Sequence, residues 1–107
     1  MFHQGNILFN NHTYYLVISN DWVNSNSKII TILPTYLLKK KPKERRRTHL
    51  VVNSIDHHYL VHCEDIKNIN CDDNDYFVYD SISEDDIQRV RNRLRWMYGG
   101  EKDAKGR

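Results

Sequence analysis

Residues 29–52 read IITILPTYLLKKKPKERRRTHLVV, with an apolar run at each end and a basic run between them. The apolar runs 29–33 and 50–52 are rich in β-branched residues and predict two strands. The basic run 39–47 holds seven of the sixteen basic residues of the chain and one acidic residue, a formal charge of +6. It is therefore predicted to be an exposed loop between two strands that faces an acidic partner.

The rest of the chain has the opposite charge. Taking seven basic and one acidic residue from the totals of 16 and 14 leaves 9 basic and 13 acidic side chains, a formal charge of −4. A basic loop on an acidic body makes nucleic acid the first partner to consider. A chain of 107 residues is expected to form one domain, residues 1–100, followed by a disordered polar tail, residues 101–107.

The N-terminal residues MFHQG contain neither the basic nor the apolar segment of a signal peptide. No apolar run approaches the roughly 18 residues that predict a membrane span. The protein is therefore expected to act in the cytoplasm, without a membrane. Cys63 and Cys71 are too few for a disulfide scaffold and are expected to remain thiols in a reducing compartment.

Short runs of β-favouring residues separated by turn residues predict six or seven strands, at 5–9, 13–18, 28–33, 48–53, 59–64, 65–70 and 76–79. The segment Asn10-Asn11-His12 favours a tight hairpin turn between the first two. The third strand is expected to stop at Pro34, which has no backbone N–H to donate. Residues 19–27 are predicted to form a polar connection, with Trp22 folded onto the core. The pattern indicates a small β barrel or sandwich.

Residues 83–100 have the pattern of a helix, whereas the preceding segments have the pattern of strands. Ser83 is a strong helix N-cap, and Gly99 and Gly100 follow the last residues with helical spacing. One apolar stripe at that spacing consists of Ile87, Val90, Leu94 and Met97. These features predict an amphipathic helix that closes the β structure.

Side chains alternate between the two faces of a strand, so His62 and Glu64 are predicted to share one face of the strand at 59–64. Cleavage of RNA without a metal needs a base for the ribose 2′-OH, an acid for the 5′-oxygen and cations for the charge on phosphorus. A histidine and a carboxylate can supply the first two. The alternative is a solvated ion pair on an exposed sheet face.

A zinc site is the competing interpretation, because His57, His58, His62, Cys63 and Cys71 occur within fifteen positions. The spacing includes no Cys-x-x-Cys pair. His62 and Cys63 are adjacent on a strand and are expected to point to opposite faces. No metal or other cofactor is therefore predicted.

Five segments keep an informative order and spacing: GNI (5–7), LVISN (16–20) with Asn24, TILPT (31–35), VHCEDIKNI (61–69) and ISEDDI (82–87). Through them, residues 5–98 resemble the MazF, PemK and Kid family of bacterial type II toxins. The resemblance implies a mainly β fold, a small SH3-like antiparallel barrel of the CcdB/PemK type with a C-terminal α-helix. It also implies endoribonuclease activity.

The same resemblance implies roles for individual residues. Kid-like members read Val-Arg-Cys-Asp-Gln where this chain has Val61-His62-Cys63-Glu64-Asp65, and their Arg and Asp act as acid and base. His62 and Glu64 therefore take the positions of the acid and the base. Thr35 falls close to a threonine that MazF-like members use beside the scissile phosphate.

One feature of the family is missing. Its long first loop ends in Arg-Pro, whose arginine contacts the phosphate, whereas this chain has Thr13-Tyr14 there. Either another cation replaces this arginine, with His12, Arg46 and Arg47 the nearest candidates, or the activity is weaker than that of the family. The other basic residues of the loop are expected to hold the RNA backbone: Lys39, Lys40, Lys41, Lys43 and Arg45. Thr48 and His49, at the base of the loop, either face the substrate or are ordinary strand residues.

The resemblance thus implies a metal-independent toxin that cuts single-stranded RNA by 2′-OH attack, leaving a 2′,3′-cyclic phosphate and a 5′-OH and so inhibiting translation. It further implies a homodimer and a cognate MazE/PemI-like antitoxin whose acidic segment occupies the basic groove. The alternative is a non-enzymatic protein of the same fold, either a nucleic-acid-binding module or a CcdB-like poison of DNA gyrase.

Overall fold

The computed structural model describes residues 1–40, 46–72 and 75–99. Within these ranges the chain forms seven strands and two helices: β1 Asn6–Asn10, β2 Thr13–Val17, α1 Asp21–Asn26, β3 Ile29–Leu38, β4 His49–Asn53, β5 His58–His62, β6 Lys67–Asn70, β7 Phe77–Ser81 and α2 Glu84–Tyr98. The predicted mainly β fold with a C-terminal helix is confirmed. The predicted disordered tail, 101–107, lies outside the described residues.

The strands form one antiparallel sheet in the order β4-β5-β3-β2-β1-β7, and β6 pairs with the first half of β3. β5 and β7 are far apart in this order, yet the Tyr59 hydroxyl of β5 donates a hydrogen bond of 2.6 Å to the Asp80 carboxylate of β7. The sheet must therefore curl until its two ends meet, as in a small barrel.

The hairpin between β1 and β2 turns where the sequence predicts it. Asn11 and His12 have φ angles of 50° and 65°, the left-handed values that a two-residue hairpin turn requires. Asparagine tolerates this region better than most residues. The turn fixes the pairing of β1 with β2, including Leu8 opposite Tyr15.

β3 is longer than predicted, because it continues through Pro34 to Leu38. On one side of β3, β6 pairs with residues 29–32 and β5 with residues 35–38. Pro34 falls between these two partners, where a missing backbone donor is tolerated. The prediction that the third strand ends at Pro34 is therefore wrong.

The connection before β3 also differs from the prediction. It contains the six-residue helix α1, whose N-cap Asn20 accepts a hydrogen bond of 2.9 Å from the backbone N–H of Val23. Trp22 is 72 % exposed and does not fold onto the core. The polar residues of this segment cap a helix instead of forming an irregular loop.

Helix α2 closes the barrel as predicted. The Ser83 side chain accepts a hydrogen bond of 3.2 Å from the Asp86 N–H, and Ile87 and Val90 are buried in the main core. Gly5 lies beneath this helix with φ 92°, and a Cβ there would come within 2.5 Å of Ile87 Cδ1. Only glycine suits both that backbone angle and that close approach.

Cys63 and Cys71 are not joined by a disulfide bond. Across residues 1–40, 46–72 and 75–99, neither helix is both long and apolar enough to cross a membrane.

Candidate functional site

The two faces of β5 and of the residues that follow it have different environments. Tyr59, Val61 and Cys63 are completely buried in the core, whereas His62 and Glu64 are partly exposed on the other side. This burial agrees with the predicted alternation. The strand is thus anchored by one set of side chains and offers the other set to solvent.

The neighbouring strand β4 adds a third side chain. His49 is the cross-strand partner of His62, and the two imidazole rings stack with centroids 3.9 Å apart and planes 17° apart. His49 Nε2 lies 3.0 Å from Glu64 Oε2, and His62 Nδ1 lies 3.9 Å from the same oxygen. We call His49, His62 and Glu64 the His–Glu cluster.

The main chain around the His–Glu cluster is held by hydrogen bonds. The Cys63 N–H donates to the Thr48 carbonyl at 2.8 Å, which continues the pairing of β4 with β5. From helix α2, Arg93 Nη1 donates to the His49 carbonyl at 3.1 Å, and the Tyr98 hydroxyl donates to the Cys63 carbonyl at 3.1 Å. The helix therefore fixes both strands where the cluster lies.

The Glu64 side chain is 38 % exposed. Desolvation alone raises the pKa of Glu64, but a backbone N–H, the hydrogen bond from His49 and the charge of His62 together hold it below its ordinary value. An ionised carboxylate only accepts hydrogen bonds, so His49 carries a proton on Nε2 in this contact. Glu64 is therefore ionised at neutral pH and free to accept a proton from a ligand.

The pKa of His62 lies below its ordinary value, chiefly because burial disfavours the charged ring. The neighbouring His49 and Arg46 lower the pKa of His62 further, while Glu64 and Asp65 oppose them. A lowered pKa makes the protonated ring a stronger acid. The protonated His62 ring can therefore give a proton and the ionised Glu64 can take one, while the two lowered pKa values reduce the protonated fraction of His62 at neutral pH and the basicity of Glu64.

Tyr36 is part of the site, although its sequence context did not indicate it. Its ring centroid lies 4.6 Å from that of His62, and the residue is 51 % exposed. An exposed aromatic ring beside a histidine can stack on a nucleobase.

Thr35 is not brought to the His–Glu cluster. It is 1 % exposed, and its hydroxyl donates a hydrogen bond of 3.0 Å to the Leu33 carbonyl. Thr35 pairs with the buried Val61, so its side chain lies on the core side of β3, and Tyr36 occupies the outer side. In this conformation the Thr35 hydroxyl cannot contact a substrate at the cluster.

The three candidate cations have different positions. Arg46 is exposed and close enough to His62 for its charge to lower the pKa of that ring. The Arg47 guanidinium lies over Trp96, 5.7 Å from the ring centroid. His12 lies in the β1–β2 turn with its ring against Phe9 and is not part of the cluster.

The described residues of the basic loop are divided between the two ends of β5. Leu38, at the end of β3, pairs with His58, whereas His49, at the start of β4, pairs with His62. Lys39 and Lys40 are exposed and follow Leu38, so they lie about 13 Å along the strand from the cluster. Arg46, Thr48 and His49 are at the cluster end. Lys41, Lys43 and Arg45 lie outside the described residues.

His49 was predicted only as a residue that faces RNA, and its contacts with His62 and Glu64 were not anticipated. The predicted hairpin, with strands 48–53 and 59–64 and the loop 54–58, would place His49 opposite Cys63. The observed loop 54–57 is one residue shorter, so Asn53 faces His58 and His49 faces His62. This difference of one residue in register is why the contact was not predicted.

The described fold belongs to a known structural class. No protein-family model matches the sequence, and no curated protein matches it. Comparison with solved structures shows that the chain has the fold of the MazF toxins.

Two similar structures are MazE–MazF complexes from Deinococcus radiodurans, in crystal forms I and III. The form I match has a TM-score of 0.74 at 13 % identity and covers 92 % of this chain and 96 % of the other. The form III match has a TM-score of 0.70 at 13 % identity and covers 94 % and 98 %. An Mtb toxin matches with a TM-score of 0.63 at 11 % identity, over 86 % and 99 %. These identities are low, so the likeness is one of fold.

Proposed function

We propose that this protein is the toxin of a type II toxin–antitoxin system and cuts single-stranded RNA in the cytoplasm without needing a metal ion. The observation that carries the proposal is the His–Glu cluster. It contains a proton acceptor and a proton donor, His62 Nδ1 lying 3.9 Å from Glu64 Oε2. These groups lie at the end of a well-anchored strand next to a basic loop, in the fold of the MazF toxins.

In the proposed reaction, the Glu64 carboxylate takes the proton of a ribose 2′-OH, and the 2′-oxygen attacks the adjacent phosphorus. The bond from phosphorus to the 5′-oxygen breaks, and the protonated His62 gives its proton to that oxygen. The products are a 2′,3′-cyclic phosphate and a 5′-OH. His49 acts as a positioning residue, because its bond to Glu64 Oε2 leaves the other carboxylate oxygen for the substrate.

Charge develops on the phosphate oxygens during this reaction and requires a cation. Arg46 is the best candidate among the described residues, since its charge already acts on His62. Arg47 is held over Trp96 and is better suited to bind the RNA backbone. Lys39 and Lys40 lie further along the strand, where a bound RNA strand would continue, and the remaining basic residues of the loop extend this surface.

The proposal includes partners. Two of the similar structures are complexes of MazF with MazE, which supports an antitoxin for this chain. A homodimer as its working form is part of the proposal. An acidic, disordered antitoxin segment would complement the charge of the basic loop and compete with RNA for it. Cutting messenger RNA would inhibit translation and growth.

The test is cleavage of single-stranded RNA in EDTA by the wild-type chain and by variants. E64Q and H62A should each lower the cleavage rate by about 100-fold or more, because each removes one of the two proton-transfer groups. H3A is the matched control, since His3 also contacts a carboxylate, Asp21, at 3.2 Å but lies outside the cluster. It should cut at the wild-type rate.

Three results would contradict the proposal. Cleavage that E64Q and H62A leave unchanged would exclude the assigned residues. Absence of cleavage by the wild-type chain, combined with inhibition of DNA gyrase or simple RNA binding, would favour the non-enzymatic alternative. Cleavage that occurs only when metal is present would show that the reaction needs a metal ion.

A further inference from the structure

The His–Glu cluster also has the composition of a metal site. It contains two imidazoles and one carboxylate, and their ligand atoms all lie within 4.8 Å of one another. Two histidines and one glutamate form a common protein ligand set for zinc, with a fourth position left for water. The zinc site considered from the sequence involved His57, His58, His62, Cys63 and Cys71, and of these only His62 belongs to this group.

Two of the three distances between ligand atoms in the cluster are close to those that zinc needs. Bonds of about 2.0–2.1 Å at tetrahedral angles place neighbouring ligand atoms about 3.4 Å apart. His49 Nε2 and Glu64 Oε2 are 3.0 Å apart, and His62 Nδ1 and Glu64 Oε2 are 3.9 Å apart. These two distances must change by about half an ångström or less, whereas the ligand nitrogens of His49 and His62, which lie within 4.8 Å of each other, must approach by up to about 1.4 Å. The nearly parallel rings must also splay so that both nitrogens aim at one point. The neutral His49 ring must in addition carry its proton on Nδ1 instead of Nε2, which frees Nε2 for the metal.

The side chains can make this adjustment without moving the sheet. Glu64 lies beyond the end of β5, and its side chain is 38 % exposed. The His62 side chain is 25 % exposed and has the half-exposed Tyr36 ring on its outer side. The backbone at His49 is meanwhile fixed by Arg93. The backbone at His49 is therefore held in place, while the exposed Glu64 carboxylate has room to turn toward an ion that enters from solution.

We propose that His49, His62 and Glu64 bind one Zn²⁺ per chain. Zinc bound there occupies the proton acceptor and the proton donor at once, so it switches the nuclease off. This consequence rests on the proposed function, whereas the zinc site itself does not. Removal of zinc by a stronger chelator restores both groups.

Binding is measured first, without RNA. The full chain is treated with EDTA, dialysed and titrated with Zn²⁺ by calorimetry, and Co²⁺ is then bound to report tetrahedral coordination by its visible absorption. We expect one Zn²⁺ per chain. H49A and E64Q should each weaken binding by at least about 10-fold, and H3A should leave it unchanged. E64Q changes a partly exposed side chain, so it tests the site even if H49A disturbs the fold.

Activity is measured second. One equivalent of Zn²⁺ should stop RNA cleavage, and EDTA should restore it. Absence of one-to-one binding, or binding that H49A and E64Q do not weaken, would overturn the zinc site. Cleavage that persists in the zinc-loaded chain, or that requires zinc, would overturn the inhibitory role. A zinc-free chain that does not cut RNA would instead contradict the proposed function, while the titration still decides the site.

Discussion

Arg46 and Arg47 are adjacent in the chain but differ in their surroundings. Arg46 acts electrostatically on His62, whereas Arg47 lies over Trp96. We expect R46A to lower the cleavage rate at saturating RNA by about 100-fold, because it removes the cation for the developing charge. R47A, the matched control, should mainly weaken RNA binding. Single-turnover rates and binding constants for both variants separate these effects. If R46A and R47A change the rate and the binding constant equally, both arginines only bind the RNA backbone.

Asp80 closes the barrel through its hydrogen bond with Tyr59. Burial raises the pKa of Asp80, but hydrogen bonds from Ser54, Tyr59 and the Ser81 N–H, with the charge of His57, outweigh burial and hold it below its ordinary value. Because the pKa is lower in the folded chain than in the unfolded chain, ionised Asp80 stabilises the fold at neutral pH, and this contribution is lost as the pH falls through the folded value.

We therefore expect D80N to unfold at a lower temperature than the wild type at pH 7. The difference in Tm should begin to narrow below about pH 4, where the carboxylate of the unfolded chain becomes protonated, and should narrow further as the pH falls through the lower pKa of the folded chain. Thermal unfolding of both proteins at pH 7 and pH 3 measures it. A difference that is the same at both pH values would show that the charge of Asp80 does not stabilise the fold.

Single residues of the site were predictable only where one strand's own pattern determines them. The two-residue period of β5 places His62 and Glu64 together, because Tyr59, Val61 and Cys63 must be buried. The contact with His49 depends on the pairing of two strands, which that pattern does not contain. Thr35 was assigned from a resemblance, and a shift of one residue moves a side chain to the other face of a strand.

At the scale of elements, α2 both closes the barrel and supports the site. Arg93 donates hydrogen bonds to the carbonyls of Arg47 and His49, so the helix holds the start of β4. We expect R93A to lower the cleavage rate by about 10-fold, because the cluster needs a fixed geometry. R95A is the matched control, an exposed arginine of the same helix, and should have little effect.

Hydrogen exchange provides the second readout for this prediction. The amide of His49, which donates to the Arg46 carbonyl at 3.1 Å, should exchange faster in R93A than in the wild type. Amides of the β1–β2 hairpin should not change. A slower enzyme with unchanged exchange at His49 would mean that Arg93 acts on the substrate directly.

Elements with strong local signals were predicted well. The Asn-rich turn predicted the β1–β2 hairpin, and the Ser83 cap together with the apolar stripe that follows it predicted α2. The errors arose where tertiary context decides. Pro34 lies within β3 because β6 pairs with the residues before it and β5 pairs with the residues after it. Helix α1 has only six residues, and its polar residues resemble those of a loop.

At the scale of the whole molecule, the basic loop on an acidic body is expected to determine how strongly salt weakens RNA binding. Lys39 and Lys40 are exposed at the far end of β5 from the cluster. If they contact RNA phosphates, each lysine-to-alanine change should reduce the salt dependence of RNA binding by about 0.7 in the slope of log K against log salt concentration. The cleavage rate at saturating RNA should not change. K28A is the control, since Lys28 pairs with Asp72 at 3.3 Å. If K28A changes the slope for RNA binding as much as K39A or K40A does, the lysines attract RNA only through the net charge of the protein.

The measurement that tests the central claim most directly uses an RNA with a mapped cleavage site in which the one adjacent 2′-OH is replaced by hydrogen. The wild-type chain in EDTA should leave that bond intact and cut the unmodified RNA to a 2′,3′-cyclic phosphate and a 5′-OH, because Glu64 needs the 2′-OH proton and His62 protonates the 5′-oxygen. Cleavage of the modified bond, or products with a 5′-phosphate, would contradict the assignment of His62 and Glu64.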